Sequence, residues 1–228
     1  MPAQTLLFAQ EEKSKIMKPA TITRDAPYKR EETAILFVDL QTIFCTPGLD
    51  PQHPELDEDH YYFKRLKSTT IPNAQKLLHA ARAAGIQVLH TIIEALTKDG
   101  RDISLDHRLS NIFVPKGLPE AQPIKELALI DNEIILPKSS SGVFNSTNID
   151  YVLKNLGIRY LIISGVVTDQ CVDMAVRDAS DRGYLVTLAE DACGTYTQAR
   201  HDNALKAFGG YCWVSDTETV LKRLKALA

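Results

Sequence analysis

No two of the four cysteines (Cys45, Cys171, Cys193, Cys212) form a C-x-x-C pair, and they lie too far apart for a zinc ribbon or a recognisable disulfide framework. Reduced thiols in the cytoplasm are the expectation. No segment reaches the roughly eighteen apolar residues of a membrane span, and the opening stretch MPAQTLLFAQEEKSKIMKPA has too short an apolar run for a signal peptide. An excess of one charge is also missing. The 26 Lys and Arg are interspersed with 29 Asp and Glu, a formal net of −3, which leaves no electrostatic footprint for nucleic acid or an anionic membrane. The expected partner is a small neutral or polar molecule. There is no internal repeat and no low-complexity tract. What the chain does have is 228 residues at 44% hydrophobic content, enough to fill the core of one large domain. That domain is expected over 31–228, with 1–30 an extension packed on the surface or on a neighbouring subunit.

From residue 33 onward, apolar runs alternate with helical patterns, the signature of a parallel sheet covered on both faces. The runs fall at 33–39, 86–93, 132–137, 160–164, 184–189 and 211–214. Between them, PNAQKLLHAARAAG places Pro72 near its start, Leu77, Leu78, Ala81 and Ala84 on one face, and Gly85 at its end. STNIDYVLKNLG has a Ser/Thr/Asn cap and ends on Gly157, and CVDMAVRDASDRG ends on Gly183. The fold class expected is α/β: a three-layer α-β-α arrangement around a six-stranded, mostly parallel sheet of Rossmann type. Residues 94–119, with Gly100, Pro115, Gly117 and Pro119, read as a long irregular excursion, and loops of that length are often functional.

Ligands of open parallel sheets bind beyond the carboxyl ends of the strands. Three chemical groups fall there. The run TAILFVD ends on Asp39, NEIILP runs into Lys138, and YLIIS leads through GVVTDQ to Cys171 at the start of a helical pattern. A carboxylate, an ammonium and a thiol can thus meet in one cleft. A thiol is nucleophilic only as thiolate, and at an unperturbed pKa of roughly 8.5 about 3% is ionised at pH 7. Asp39 would take the proton as general base, while Lys138 and the helix N-terminus stabilise the charges. Taken singly, each has a plainer explanation: a turn residue, a solvated lysine, a buried small hydrophobe. Cys193 in EDACGTY is the rival nucleophile, but Ala192 and Gly194 beside it suggest a packed turn.

The segments ILFVDLQTIFC, IILPKSSSGVFNSTNIDYVLKNLGI and LIISGVVTDQCVDMAVRDASDRGYLVTLAEDAC resemble, in order and spacing, the motifs of the isochorismatase-like cysteine hydrolases. The resemblance spans roughly residues 30 to 225. It implies a catalytic triad of Asp39, Lys138 and Cys171, a cis peptide between Val166 and Val167, and an oxyanion hole from the N–H groups of Val167 and Cys171. It also implies amide hydrolysis through a thioester, which requires no metal and no organic cofactor, and a homodimer or homotetramer.

Beside the triad the branches of the family differ. Nicotinamidases carry an Asp-x-His metal motif with further histidines, whereas His90 and His107 here are too far apart to reproduce it, and Asp50 and His53 in DPQH are off by one. IIEALTKDGRDISLDHRLS, VPKGLPEAQPIKEL and GYCWVSDTETVL resemble the ureidoacrylate and biuret hydrolase branch instead. The candidate substrate contacts are Gln41 and Phe44 after Asp39, Asn145 after the Lys138 loop, Gln170 beside Cys171, and Glu94 and Arg101 from the excursion. The last two also read as ordinary surface charges, and His201 as a helix cap. A nicotinamidase-like enzyme and a catalytically silent ligand-binding member of the fold are the alternatives. A thiol unusually reactive near neutral pH would mark the active enzyme.

Overall fold

The computed structural model describes residues 22–130 and 132–227. Six strands form one sheet: β1 (Thr33–Val38), β2 (Gln87–Ile93), β3 (Ile134–Lys138), β4 (Tyr160–Val166), β5 (Leu185–Gly194) and β6 (Trp213–Ser215). They pair in the order β3-β2-β1-β4-β5-β6, every pairing parallel. The chain lays down β1, moves outward through β2 and β3, then returns to build the other side from β4. That reversal opens a crevice between the carboxyl ends of β1 and β4.

The main helices are α1 (Ile71–Ala84), α2 (Leu105–Leu109), α3 (Ile149–Asn155), α4 (Cys171–Asp181), α5 (Gln198–Ala207) and α6 (Thr217–Lys225). Crossover helices must cover both faces of a parallel sheet, so its central strands are apolar throughout. β1 is buried at all its positions. Ala34, Leu36 and Val38 share a core with α3, α4 and α5, while Ile35 and Phe37 share the opposite one with α1 and α6. α1 buries the expected stripe of Leu77, Leu78, Ala81 and Ala84 and stops at Gly85, whose left-handed φ of 68° returns its N–H to the last turn. Of the Ser/Thr/Asn cap expected for α3, Asn148 holds the cap position without a side-chain cap bond, and Thr147 Oγ1 accepts the N–H of Ile149 at 3.1 Å.

One glycine sets the geometry of the crevice. Gly165 on β4 has φ +137°, and a Cβ there would lie 2.1 Å from the carbonyl oxygen of Val38. Only glycine lets β4 lie this close to β1 at the point where Asp39 follows.

The structure shifts several expected boundaries. β3 takes in Lys138, β5 runs on to Gly194, and β6 begins at Trp213 after a turn that contains Tyr211 and Cys212. Cys193 is therefore inside a strand and not in a turn. The excursion over 94–119 holds only the short α2, yet Ile112 and Val114 are buried and the Ala95 N–H donates to Val114 O at 2.8 Å. Residues 1–21 of the expected extension lie outside the described residues. In its remainder Tyr28 is buried, donates its hydroxyl to Thr187 Oγ1 at 2.9 Å, and carries the Arg223 guanidinium 3.6 Å from its ring centre.

Candidate active site

Asp39, Lys138 and Cys171 meet at the carboxyl end of the sheet. Asp39 directly follows β1, at a left-handed φ of 53° that a non-glycine residue seldom adopts and that often marks a functional position. Its Oδ1 accepts the Thr91 hydroxyl at 2.8 Å. Lys138, the last residue of β3, lies two strands away and reaches across β2 with a fully buried side chain. Its Nζ donates to Ser140 O at 3.0 Å and Ser141 O at 3.1 Å, and lies 3.5 Å from Cys171 Sγ. The same Nζ is 2.9 Å from Asp39 Oδ2, a buried ion pair next to the Cys171 sulfur.

Cys171 opens α4, and the sequence led us to expect the helix N-terminus to favour its thiolate. Burial decides otherwise. It pushes the thiol up to about 12; Lys138 pulls the other way, and the Asp39 carboxylate adds to the rise. For Lys138, burial opposes the charge, but Asp39 and Cys171 more than offset it and hold the ammonium above the ordinary lysine range. Burial thus works against the Cys171 thiolate, and the neighbouring Lys138 ammonium works for it.

The cis peptide between Val166 and Val167 is present. Among the described residues, neither the Val167 N–H nor the Cys171 N–H donates to a turn or loop carbonyl. The loop between them is held from the β5–α5 connection. Thr168 donates its N–H to Gly194 O at 2.9 Å, and its Oγ1 lies 3.0 Å from Nδ1 of the buried His201. Asp169 accepts the Thr195 hydroxyl at 2.6 Å and pairs with Arg200. His201 thus braces the nucleophile loop, a role its position as a helix cap did not suggest.

A cavity of about 30 Å³ lies against Asp39 and Cys171. Phe44 and Gln170 line it as expected, together with Val167 of the nucleophile loop. Asn145 does not, but lines an outer vestibule of about 560 Å³ that shares Gln52, Ile112, Ser141 and Gln170 with the cavity. Three expected substrate contacts are corrected. Gln41 is fully buried, its amide occupied by Ile93 O at 3.0 Å, Ala121 O at 2.6 Å and the Ile93 N–H at 2.7 Å, so it ties the excursion to the sheet. Glu94 accepts the Gly117 N–H at 3.1 Å and lies off the cavity lining. Arg101 is exposed and pairs with Asp99 at 3.1 Å. Sequence reasoning missed Gln52, Tyr62 and Tyr196, which also line the cavity. The one available signal was Asp50, weighed as a metal ligand; its Oδ2 accepts the Tyr196 hydroxyl at 2.9 Å. The rival Cys193 is fully buried in β5, donates to Ala189 O at 3.3 Å, and does not line the cavity.

Among the described residues no group of three His, Cys, Asp or Glu is arranged to hold a metal ion. His90 stacks on Phe37 at 5.1 Å, while His107 lies 3.3 Å from Ser141 Oγ. Catalysis should therefore survive exhaustive dialysis against a chelator, with kcat unchanged within error. Loss of activity restored by zinc or iron would disprove this.

Residues 33–219 match the isochorismatase domain family. The chain is similar to ureidoacrylate amidohydrolase RutB of Rhizobium rhizogenes, 31% identical over 210 residues and 82% of each chain. It is similar also to ureidoacrylate amidohydrolase RutB of Agrobacterium fabrum, 30% identical over 82% of this chain and 89% of that one. Among solved structures, a cysteine hydrolase from Pseudomonas syringae pv. phaseolicola superposes with a TM-score of 0.76 at 24% identity, covering 93% of this chain and 100% of that one. An N-carbamoylsarcosine amidase from Thermoplasma acidophilum gives 0.65 at 22% identity, covering 82% and 97%. At those identities the structural likeness speaks for the fold.

Proposed function

This chain belongs to the isochorismatase family and is a hydrolase of amide C–N bonds; on that footing we propose that it cleaves small ureido compounds of the biuret, triuret or ureidoacrylate type, with Cys171 as nucleophile. The observation that carries the chemistry is the buried Lys138 Nζ, 2.9 Å from Asp39 Oδ2 and 3.5 Å from Cys171 Sγ, beneath a cavity lined by Asp39 and Cys171. Asp39 takes the thiol proton as Sγ attacks the carbonyl carbon, and the C=O electron pair moves onto oxygen. The oxyanion is held by the N–H groups of Val167 and Cys171. Collapse breaks the C–N bond, Asp39 returns its proton to the leaving nitrogen, and ammonia or an amine departs. Water, deprotonated by the same carboxylate, then cleaves the thioester, and the proton goes back to sulfur. Lys138 stays charged throughout, so the negative charge that moves between Asp39 and Cys171 is never left unpaired in a dry site.

Substrate choice follows from pairing. Gln52 and Gln170 line the cavity, and their side-chain amides are suited to pair with ureido N–H and C=O groups. An aromatic ring offers fewer such groups. In a panel of biuret, triuret, ureidoacrylate, nicotinamide and isochorismate, kcat/KM is expected to be highest on one of the first three. A tenfold advantage for nicotinamide would refute the ureido assignment and leave the cysteine mechanism standing; turnover of isochorismate alone would remove both.

A further inference from the structure

The charges around the catalytic cavity narrow the substrate class. Among the described residues, neither the cavity nor the vestibule outside it is lined by a lysine, an arginine or a histidine. The one ammonium beneath the cavity, Lys138, is fully buried; its contacts are two carbonyls, the Asp39 carboxylate and the Cys171 sulfur. It has nothing left for a substrate anion. Carboxylates, in contrast, surround the path. Asp39 forms part of the floor, and Asp50, buried behind the wall, accepts the Tyr196 hydroxyl. Asp106, Asp169 and Asp173 line the vestibule, the last two paired with Arg200 and Arg177 and Asp106 exposed on α2. Arg200, moreover, is engaged on both sides, by Asp169 and by the Tyr196 ring 5.2 Å away.

Resting on the ureido reading above, we propose that the substrate is an uncharged ureide, and that the site discriminates against ureido acids that carry a carboxylate. A carboxylate entering this cavity leaves water without gaining a cation and passes Asp106, the vestibule carboxylate outside the Asp169–Arg200 and Asp173–Arg177 pairs. An uncharged ureide bears neither burden, and its N–H groups and carbonyls pair with the Gln52 and Gln170 amides and the Ser141 hydroxyl that line the cavity. On charge, biuret and triuret are therefore preferred to ureidoacrylate.

The test uses the full-length enzyme and two matched pairs: ureidoacrylate against its primary amide, and N-carbamoylglycine against N-carbamoylglycinamide. Product formation is followed chromatographically, so that hydrolysis at the ureido group is counted apart from hydrolysis of the added amide. At low ionic strength the neutral member of each pair is expected to show a kcat/KM about a hundredfold higher, about 2.7 kcal/mol. Added salt should narrow the ratio by screening the exposed vestibule charges. D106K should narrow it about tenfold, and D106N by less in the same direction; a thermal melt checks that both are folded. Equal or faster turnover of the carboxylates, or a ratio that neither salt nor either substitution moves, overturns the charge inference alone. If neither member of either pair is hydrolysed, the ureido reading falls and the charge inference with it.

Discussion

Cys171→Ala is expected to lower kcat by at least about ten-thousandfold while the fold persists, because no other group among the described cavity residues can form the thioester. The side chain is small, and its removal leaves Lys138 with Ser140 O, Ser141 O and Asp39, so the thermal midpoint should move little, equivalent to about 1 kcal/mol. Cys193→Ala should behave in the opposite way. Its sulfur is fully buried in β5 and donates to Ala189 O, so the change costs stability and leaves turnover intact. Steady-state kinetics and melting curves on the two variants decide the matter. Activity retained in C171A and lost in C193A would transfer the nucleophile to the strand interior and end the mechanism given above.

Asp39→Asn is expected to reduce kcat by about a thousandfold, since it keeps the shape of the side chain and removes the base. The structure adds a second consequence with a definite sign. Asp39 helps to hold the proton on Cys171, and Lys138 works against it. With the carboxylate gone, the thiolate fraction at fixed pH rises. Iodoacetamide should therefore label Cys171 faster in D39N than in the parent at pH 8, even as turnover collapses. The variant also leaves the Lys138 ammonium buried without its counter-ion, a loss of about 3–5 kcal/mol in stability. D39N/K138M should regain much of that stability and none of the activity. If D39N turns over normally, or if its labelling slows in parallel with its activity, Asp39 is not the base.

The three candidate groups could be found in the chain because each follows an apolar run that marks a strand, and parallel strands align their carboxyl ends. Asp39, Lys138 and Cys171 needed no contact information to be grouped. Phe44 and Gln170 lie close to triad members along the chain, and that proximity is enough to bring them to the cavity. Gln41 is equally close to Asp39 yet faces away, because its amide satisfies backbone groups 52 and 80 residues distant. Gln52, Tyr62 and Tyr196 come from separate segments with no shared pattern, so nothing in their spacing shows that they form one wall.

Strand and helix identity, the parallel sheet and the positions of the three chemical groups come from local periodicity, capping residues and glycines, which act over a few neighbouring residues and are written directly in the chain. The upward shift of the Cys171 thiol, the occupation of Gln41 and the lack of a lining cation among the described residues have another origin. They depend on how deeply each group is buried and on which distant group it faces. Desolvation and charge pairing are set by distances between segments far apart in sequence, and those distances exist only once the chain has folded.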